Sequence, residues 1–255
     1  MTVDIIGGGV REGTCGEMLA SSEICSRFSR IAVLPIPTTR NGKDINGMGE
    51  PLEGLLPLAS GTLFCAYGLP SAISARLCDA GAVVADVAED EVFTLENARL
   101  TAECTLAYIM NKEERAVRDL RIGIVGYGRI GGFLLELLLF HGAFVRVYTR
   151  KSSTLISLLG NGVDAQTVAE GELSDLDILI NTAPAHLFTK SQTQRAECEI
   201  LELAPGENFP YAKNVTRLPS LPARAVPKSA GRLYAEAVKR ILDKDAEGVC
   251  GDGKI

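Results

Sequence analysis

Short apolar runs alternate with helical patterns along the second half of the chain. Segments rich in Ile, Leu and Val are separated by stretches whose apolar side chains recur at helical spacing. This alternation is typical of a parallel sheet covered by helices, because buried parallel strands are apolar on both faces. The predicted strands are residues 122–125, 144–148, 165–168, 177–181, 199–203 and 215–218, and the predicted helices are residues 133–140 and 227–243. Together these strands would complete a doubly wound sheet.

The first hundred residues repeat the alternation more loosely. Strands are predicted at residues 31–34, 62–66 and 82–86, with a helix at residues 71–79. A long helical pattern over residues 97–118 then leads into the second half. We therefore expect a smaller N-terminal α/β domain (1–96), a linking helix (97–118), a larger α/β domain (119–225) and a C-terminal helix (226–246) that packs back toward the N-terminal domain.

A glycine motif follows the first strand of the larger domain. Gly126, Gly128 and Gly131 have the spacing G-x-G-x-x-G, and an apolar helical run follows them. The first glycine allows the tight turn, the second lets the backbone approach a pyrophosphate, and the third lets the helix pack against the strand. The context predicts an α/β protein with a Rossmann-type doubly wound parallel sheet plus the smaller N-terminal α/β domain; a plain tight turn is the alternative. The candidate cofactor residues here are Gly126, Tyr127, Gly128, Arg129, Ile130 and Gly131.

The end of the second strand of this domain indicates which dinucleotide binds. An Asp or Glu there would accept hydrogen bonds from the ribose hydroxyls of NAD and would repel the 2′-phosphate of NADP. Between Glu136 and Asp164 the chain has no acidic residue. Guanidinium, ammonium and hydroxyl groups can instead bind a phosphate dianion, so we predict NADP, with NAD less favoured; a solvated basic loop is the alternative. The candidate phosphate ligands are Thr149, Arg150, Lys151, Ser152 and Ser153.

Composition and charge exclude several classes of protein. The chain of 255 residues has a formal net charge of -6 and a pI near 5.1, whereas nucleic-acid-binding domains usually carry a basic surface. The longest apolar run, FLLELLLF, is too short to span a bilayer, and the N-terminus lacks the features of a signal peptide. We therefore expect a cytoplasmic protein that binds neither nucleic acid nor a membrane.

The cysteines and histidines do not suggest a metal site. The seven cysteines form no C-x-x-C pair, and the chain has only two histidines. Scattered cysteines in odd number indicate free thiols in a reducing compartment. The cysteines are Cys15, Cys25, Cys65, Cys78, Cys104, Cys198 and Cys250, and the histidines are His141 and His186.

A second glycine-rich stretch, IIGGGVREG at residues 5–13, has some features of a phosphate-binding loop. It has neither the G-x-G-x-x-G spacing nor the G-K-[ST] ending that such loops need. We therefore do not expect a nucleotide at this place.

Several motifs resemble one known family. These are VLPIPTT (33–39), NARLTAE (97–103), NTAP (181–184) and, most specific, LPSLPARAVPKSAGRL (218–233). From about residue 31 to residue 242 the chain resembles the family of dipicolinate synthase A subunits from spore-forming bacteria, within the D-2-hydroxyacid dehydrogenase superfamily. The chain departs from the family where Ser220 and Ala223 replace favoured glycines and where residues 202–209 form a shorter segment.

The resemblance implies a function and a set of site residues. The reaction would be oxidation of a reduced cyclic dicarboxylate, with hydride passed to NADP, in a protein that pairs with a flavoprotein-like B subunit. Homo-oligomers are also common for such folds. The loop Asn181, Thr182, Ala183 and Pro184 would contact the cofactor, and the residues Thr38, Thr39, Arg40, Gly68 and Ser229 would contact the substrate.

Two residues are candidates for the chemistry itself. Lys228 stands at a predicted helix start, where backbone amides favour an anion such as a substrate carboxylate. Glu103 is the candidate proton acceptor, because aromatisation of a reduced ring releases protons. A solvated lysine and a helix-surface carboxylate are the alternatives. Simple hydroxyacid oxidation is less favoured because the Arg, Glu and His of such enzymes have no counterpart here, and His186 comes too early. A dehydrogenase for a different substrate and a non-catalytic NADP-binding subunit both remain open.

Overall fold

The computed structural model describes residues 1–22 and 26–251, with side chains as far as residue 246. The chain forms two compact units, and both are α/β, as predicted. Unit 1 comprises Met1–Asn97 and Pro222–Ile255, and unit 2 comprises Ala98–Leu221. Five cysteines are free thiols, whereas Cys25 and Cys250 lie outside the residues whose side chains are described. Within the described chain, no helix combines the length and the apolar character needed to cross a membrane.

Unit 1 is built on a parallel sheet of four strands in the order β1-β2-β3-β4. Tyr234 anchors the last helix to this sheet, because its hydroxyl group donates to the carbonyl oxygens of Leu34 and Cys65, at 3.0 and 2.7 Å. The strands are β1 (Thr2–Ile5), β2 (Arg30–Val33), β3 (Thr62–Ala66) and β4 (Val83–Asp86), and the helices are α1 (Val10–Ala20), α2 (Ser71–Asp79) and the C-terminal α8 (Pro227–Gly251).

The first strand and the first helix were not predicted from the sequence. β1 is a short edge strand in which neither face is fully buried. α1 buries Arg11 and Glu12 along with Cys15, Gly16 and Leu19, so its buried face shows no clear apolar periodicity. α8 packs closely on α1: a Cβ atom at Gly231 would lie 2.5 Å from the Arg11 carbonyl oxygen. The glycine in the string PKSAGRL therefore permits a close helix crossing.

Unit 2 is built on a parallel sheet of six strands in the order β10-β9-β8-β5-β6-β7. All six predicted strands are present, with ends that differ by at most one residue. Because β5 lies between β6 and β8, the connections diverge above it and leave a crevice at the carboxyl ends of the strands. The strands are β5 (Arg121–Val125), β6 (Phe144–Thr149), β7 (Asp164–Thr167), β8 (Ile178–Asn181), β9 (Glu199–Glu202) and β10 (Val215–Arg217), and the helices are α4 (Arg129–Phe140), α5 (Ser152–Gly160) and α6 (Lys190–Arg195). The short helix α7 (Leu221–Ala225) begins at the last residue of unit 2 and continues in unit 1.

The long helix before unit 2 differs from its prediction at both ends. It is α3 (Glu91–Lys112), rather than residues 97–118, and the division between the units falls within it. It begins early because the Asp90 carboxylate accepts a hydrogen bond from the Phe93 N–H at 2.7 Å and is itself bound by Arg240 at 2.8 Å. It ends early because the chain turns into a short 3-10 helix (Val117–Asp119) whose Val117 side chain is buried.

Candidate dinucleotide site

The turn between β5 and α4 has the geometry that its three glycines predict. Gly126 has a φ of 91°, and its N–H donates to the Tyr148 carbonyl oxygen at 2.9 Å. A Cβ atom at Gly131 would lie 2.2 Å from the Gly126 carbonyl oxygen, so only glycine allows this contact between turn and helix. A Cβ atom at Gly128 would meet no atom within 4 Å. Gly128 therefore faces open space, as a glycine beside a pyrophosphate should.

The amino end of α4 is open to an anion. Gly128 is the N-cap and has no side chain to cap the helix, and within the described part of the chain no other side chain bonds to the amides of the first turn. These N–H groups lack intrahelical acceptors and carry the positive end of the helix dipole. Tyr127 and Arg129 flank the turn and are exposed, while Ile130 is half-buried. The open space at Gly128 and the uncapped amides together fit the pyrophosphate of a dinucleotide.

The residues at the end of β6 divide into internal and exposed groups. Thr149 is buried, and its Oγ1 accepts the Lys151 N–H at 3.2 Å, so this hydroxyl oxygen holds the turn. Arg150 and Lys151 are exposed, and neither side chain makes a hydrogen bond or ion pair with another described residue. Ser152 is the first residue of α5 and is also exposed. Arg150 and Lys151, without a side-chain partner among the described residues, therefore lie beside the N-terminus of α5.

The loop after β8 is shaped by its own side chains. Buried Asn181 donates to the Ala183 carbonyl oxygen at 3.0 Å and accepts the Ala183 N–H at 3.2 Å. Thr182 Oγ1 donates to the Val125 carbonyl oxygen at 2.8 Å, which ties the loop to the end of β5. Pro184 is exposed. Asn181 and Thr182 thus fix the loop backbone beside Gly126, with their own polar groups already bonded.

The candidate substrate residues of unit 1 follow the carboxyl ends of β2 and β3. Thr38 is fully buried, and its Oγ1 accepts the Tyr67 N–H at 2.8 Å. Thr39 Oγ1 accepts the Gly42 N–H at 3.1 Å, and exposed Arg40 donates to Asn46 at 3.3 Å. Gly68 has a φ of 69°, and its N–H donates to the Asp86 carboxylate at 3.0 Å. The hydroxyl oxygens of both threonines are therefore already engaged in fixing their loop.

Lys228 and Ser229 lie at the same edge of the unit 1 sheet. They are exposed residues of the first turn of α8, directly after Pro227. The close contact between Gly231 and the Arg11 backbone places this turn beside the first turn of α1, which follows the carboxyl end of β1. All of these predicted substrate residues therefore belong to unit 1. Glu103 belongs to unit 2, where it is exposed on α3, and His186 is exposed in the loop after β8.

A buried carboxylate that sequence reasoning missed stands at the end of β9. Glu202 is only 3% exposed, and its Oε1 accepts a hydrogen bond from Asn181 Nδ2 at 2.6 Å. Burial raises the pKa of Glu202, against the opposing effect of the nearby Asn181 and Asn208 amides. Alternate residues of a strand lie on the same face, so the strand sequence EILE places Glu202 on the face of the buried Ile200. This alternation could have predicted from the sequence that Glu202 is buried.

Known structures share this fold. The chain matches no family profile, and no curated protein has significant sequence similarity to it. The crystal structure of the dipicolinate synthase A subunit from Bacillus halodurans has a TM-score of 0.77 at 20% identity, over 94% of this chain and 97% of that one. The dipicolinate synthase A chain from Bacillus subtilis has a TM-score of 0.77 at 19% identity, over 97% of both chains. A transhydrogenase from Sinorhizobium meliloti has a TM-score of 0.59 at 16% identity, over 84% of this chain and 73% of that one. At these identities the likeness establishes the fold.

Proposed function

We propose that this chain is an NADP-dependent oxidoreductase that oxidises a reduced cyclic dicarboxylate of the dihydrodipicolinate type. The observation that carries the proposal is the uncapped amino end of α4, where Gly128 faces open space at the crevice above β5. The fold shared with the two dipicolinate synthase structures supports the substrate class, because that likeness extends over nearly the whole chain.

The choice of NADP rests on the end of β6. Arg150 and Lys151 are exposed and make no bond to another described side chain, and no acidic residue occurs between Glu136 and Asp164. A 2′-phosphate at this place would gain charge-assisted hydrogen bonds from both cations and from the hydroxyl of Ser152. A ribose without that phosphate would find no carboxylate to accept its hydroxyl hydrogens.

Each proposed residue has one chemical task. Lys228 and Ser229, at the amino end of α8, hold one substrate carboxylate, and Arg40 contributes a cationic donor from the loop after β2, which Thr38 and Thr39 hold in shape. The bound nicotinamide supplies the hydride acceptor. Glu103 takes the proton that the substrate ring releases when it loses the hydride. We include in the proposal self-association of this chain and pairing with a flavoprotein-like second subunit.

The cofactor preference can be tested by fluorescence titration of the full chain with NADPH and NADH. We expect NADPH to bind about 10–1,000-fold more tightly, with a difference that shrinks at high salt, because one or two exposed charge-assisted bonds are screened. Arg150→Ala should remove most of this preference. The matched control is Arg118→Ala, which removes an exposed cation before β5, at the opposite edge of the sheet. Tighter binding of NADH, or an unchanged preference in Arg150→Ala, would show that these cations only face solvent.

The role of Lys228 can be tested by steady-state kinetics with dihydrodipicolinate, with and without a flavoprotein subunit. Lys228→Ala should raise KM about 10–100-fold while leaving NADPH affinity unchanged, because one charge-assisted contact to the substrate is lost. Lys244→Ala, an exposed lysine in the second half of α8, is the control. An unchanged KM would mean that Lys228 faces solvent and does not contact the substrate. NADPH binding without turnover, both with and without a flavoprotein subunit, would mean that the chain binds the cofactor but does not catalyse the reaction.

A further inference from the structure

The connection between β9 and β10 leaves a cavity in unit 2. Residues 203–214 join these parallel strands without a helix, whereas α4 and α5 cover the connections on the other side of the sheet. The cavity has a volume of about 450 Å³ and is lined by this connection, by β10 and by the end of β9. This volume is in the range of small-molecule pockets, about 300–1,000 Å³.

The cavity combines an apolar wall with a small set of charges. Phe209 and Val215 form part of the apolar wall; Phe209 belongs to a buried core cluster of unit 2, and the partly buried Val215 packs against that cluster. The charged lining residues are Glu202, Glu207, Lys213 and Arg217. Two carboxylates and two cations give the cavity no net formal charge, which favours a neutral or zwitterionic ligand over an ion of high charge.

Glu202 lacks a partner for one of its oxygens. Oε1 is bonded to Asn181, whereas Oε2 is buried and has no partner within hydrogen-bond distance among the described residues; the Asn208 and Ala204 amides lie near enough to oppose the rise in the pKa of Glu202 but do not bond Oε2. Arg217 is the neighbour of Glu202 across the β9–β10 pair, yet its Nη2 donates to Glu207 at 2.7 Å instead. A buried carboxylate oxygen without a donor destabilises the fold, because no hydrogen bond replaces the lost hydration. A cationic donor that entered the cavity would remove this destabilisation.

Lys213 supplies the complementary group. Its side chain is exposed and forms no ion pair within the described part of the chain. We propose that the cavity binds a small apolar α-amino acid, with the ammonium group on Glu202 Oε2, the carboxylate on Lys213 and the side chain against Phe209 and Val215. The proposal uses no observation at the Gly128 turn, although Glu202 Oε1 is bonded to Asn181 of the candidate cofactor loop.

The test is ligand-observed NMR and calorimetry on the full chain with each proteinogenic L-amino acid at millimolar concentration. We expect at least one apolar amino acid to bind. Its N-acetyl derivative, which lacks the ammonium group, and its decarboxylated amine should bind at least about 10-fold more weakly, because each loses one charge-assisted contact. These probes test the two ends of the ligand without any change in the protein.

Variants locate the binding in the cavity. Glu202→Gln keeps the shape of the side chain and should weaken binding about 10–100-fold, and Lys213→Ala should weaken it about 10-fold. The control is Glu197→Gln, which removes an exposed carboxylate before β9 and should leave binding unchanged. If Glu202→Gln does not fold, Lys213→Ala and the modified ligands still decide. The absence of binding by every amino acid would mean that Oε2 accepts no ammonium group from the cavity, and equal binding to all variants would place the ligand elsewhere; either result overturns the proposal.

Discussion

Each unit contains a glycine-rich turn from a strand into a helix, and the two turns differ in what fills the helix N-terminus. Gly7, Gly8 and Gly9 join β1 to α1, and the turn from Gly126 to Gly131 joins β5 to α4. The Gly9 N–H donates to the Glu12 carboxylate at 2.8 Å, so a carboxylate of the chain itself occupies the amino end of α1. No side chain does this in α4.

Whether a side chain caps the helix N-terminus depends on the residue at one helix position. Counted from the N-cap, Glu12 in α1 corresponds to Gly131 in α4. Glu12 can cap its helix because its other carboxylate oxygen is held by Arg11, which also donates to the Ile36 carbonyl oxygen at 2.6 Å. No side chain fits at Gly131, since the Gly126 carbonyl oxygen lies too close. The close packing that selects glycine thus also keeps the amides of α4 free for a phosphate.

Sheet topology reinforces this difference. The order β1-β2-β3-β4 runs in one direction, so unit 1 has no point at which successive connections diverge. In unit 2 the order reverses at β5, and the open turn lies at this reversal. Glycines allow a sharp turn in both units, but a dinucleotide site also needs an unfilled helix end and a crevice above it.

The largest expected effect comes from removing the internal cap of α1. Glu12→Ala should lower the free energy of unfolding by about 3–5 kcal/mol, because it leaves the buried Arg11 guanidinium without its carboxylate. Denaturant unfolding measures the loss. Glu17→Ala, an exposed carboxylate on the same helix, should change stability by less than about 0.5 kcal/mol. A Glu12→Ala protein as stable as the parent would show that the pair does not hold this turn.

A smaller effect is expected from a methyl group at the close contact in α4. Gly131→Ala should destabilise unit 2 by about 1–3 kcal/mol and weaken NADPH binding, because the Gly126 carbonyl must move away. Gly132→Ala is a matched control at the next residue of the same helix, where a Cβ atom meets nothing within 4 Å. This control should be neutral or stabilise the chain by up to about 1 kcal/mol. Equal stability of the two variants would contradict the assigned packing.

The smallest change fills the open space at Gly128 without disturbing the fold. Gly128→Asp should lower NADPH affinity about 10–100-fold, because a carboxylate at the N-cap binds the free amides and repels the pyrophosphate. Gly128→Asn, which has the same shape without the charge, should lose less affinity. Both proteins should unfold at or above the parent temperature, since Asp and Asn are good N-caps. Unchanged NADPH binding in Gly128→Asp would show that this turn does not contact the cofactor.

The sequence by itself determined the elements whose signals are local. The central strands β5, β6 and β8 of unit 2 are rich in apolar residues, the glycines of the G-x-G-x-x-G motif follow directly after β5, and β3 and α2 were predicted at their observed ends. Each of these signals lies within a few residues, because side-chain periodicity and the conformational freedom of glycine are local properties.

Only the tertiary structure decided what depends on partners far along the chain. α3 begins at Glu91 because Arg240, 150 residues away, holds Asp90 at its start. Glu202 is buried with one unpaired oxygen because β10 and its connection cover it. The sequence predicts that the Thr38 hydroxyl group contacts a substrate, but in the fold its oxygen accepts a hydrogen bond from the Tyr67 backbone N–H. Whether a polar side chain is available to a ligand depends on which backbone and side-chain groups meet it in space, and one-dimensional spacing does not contain that information.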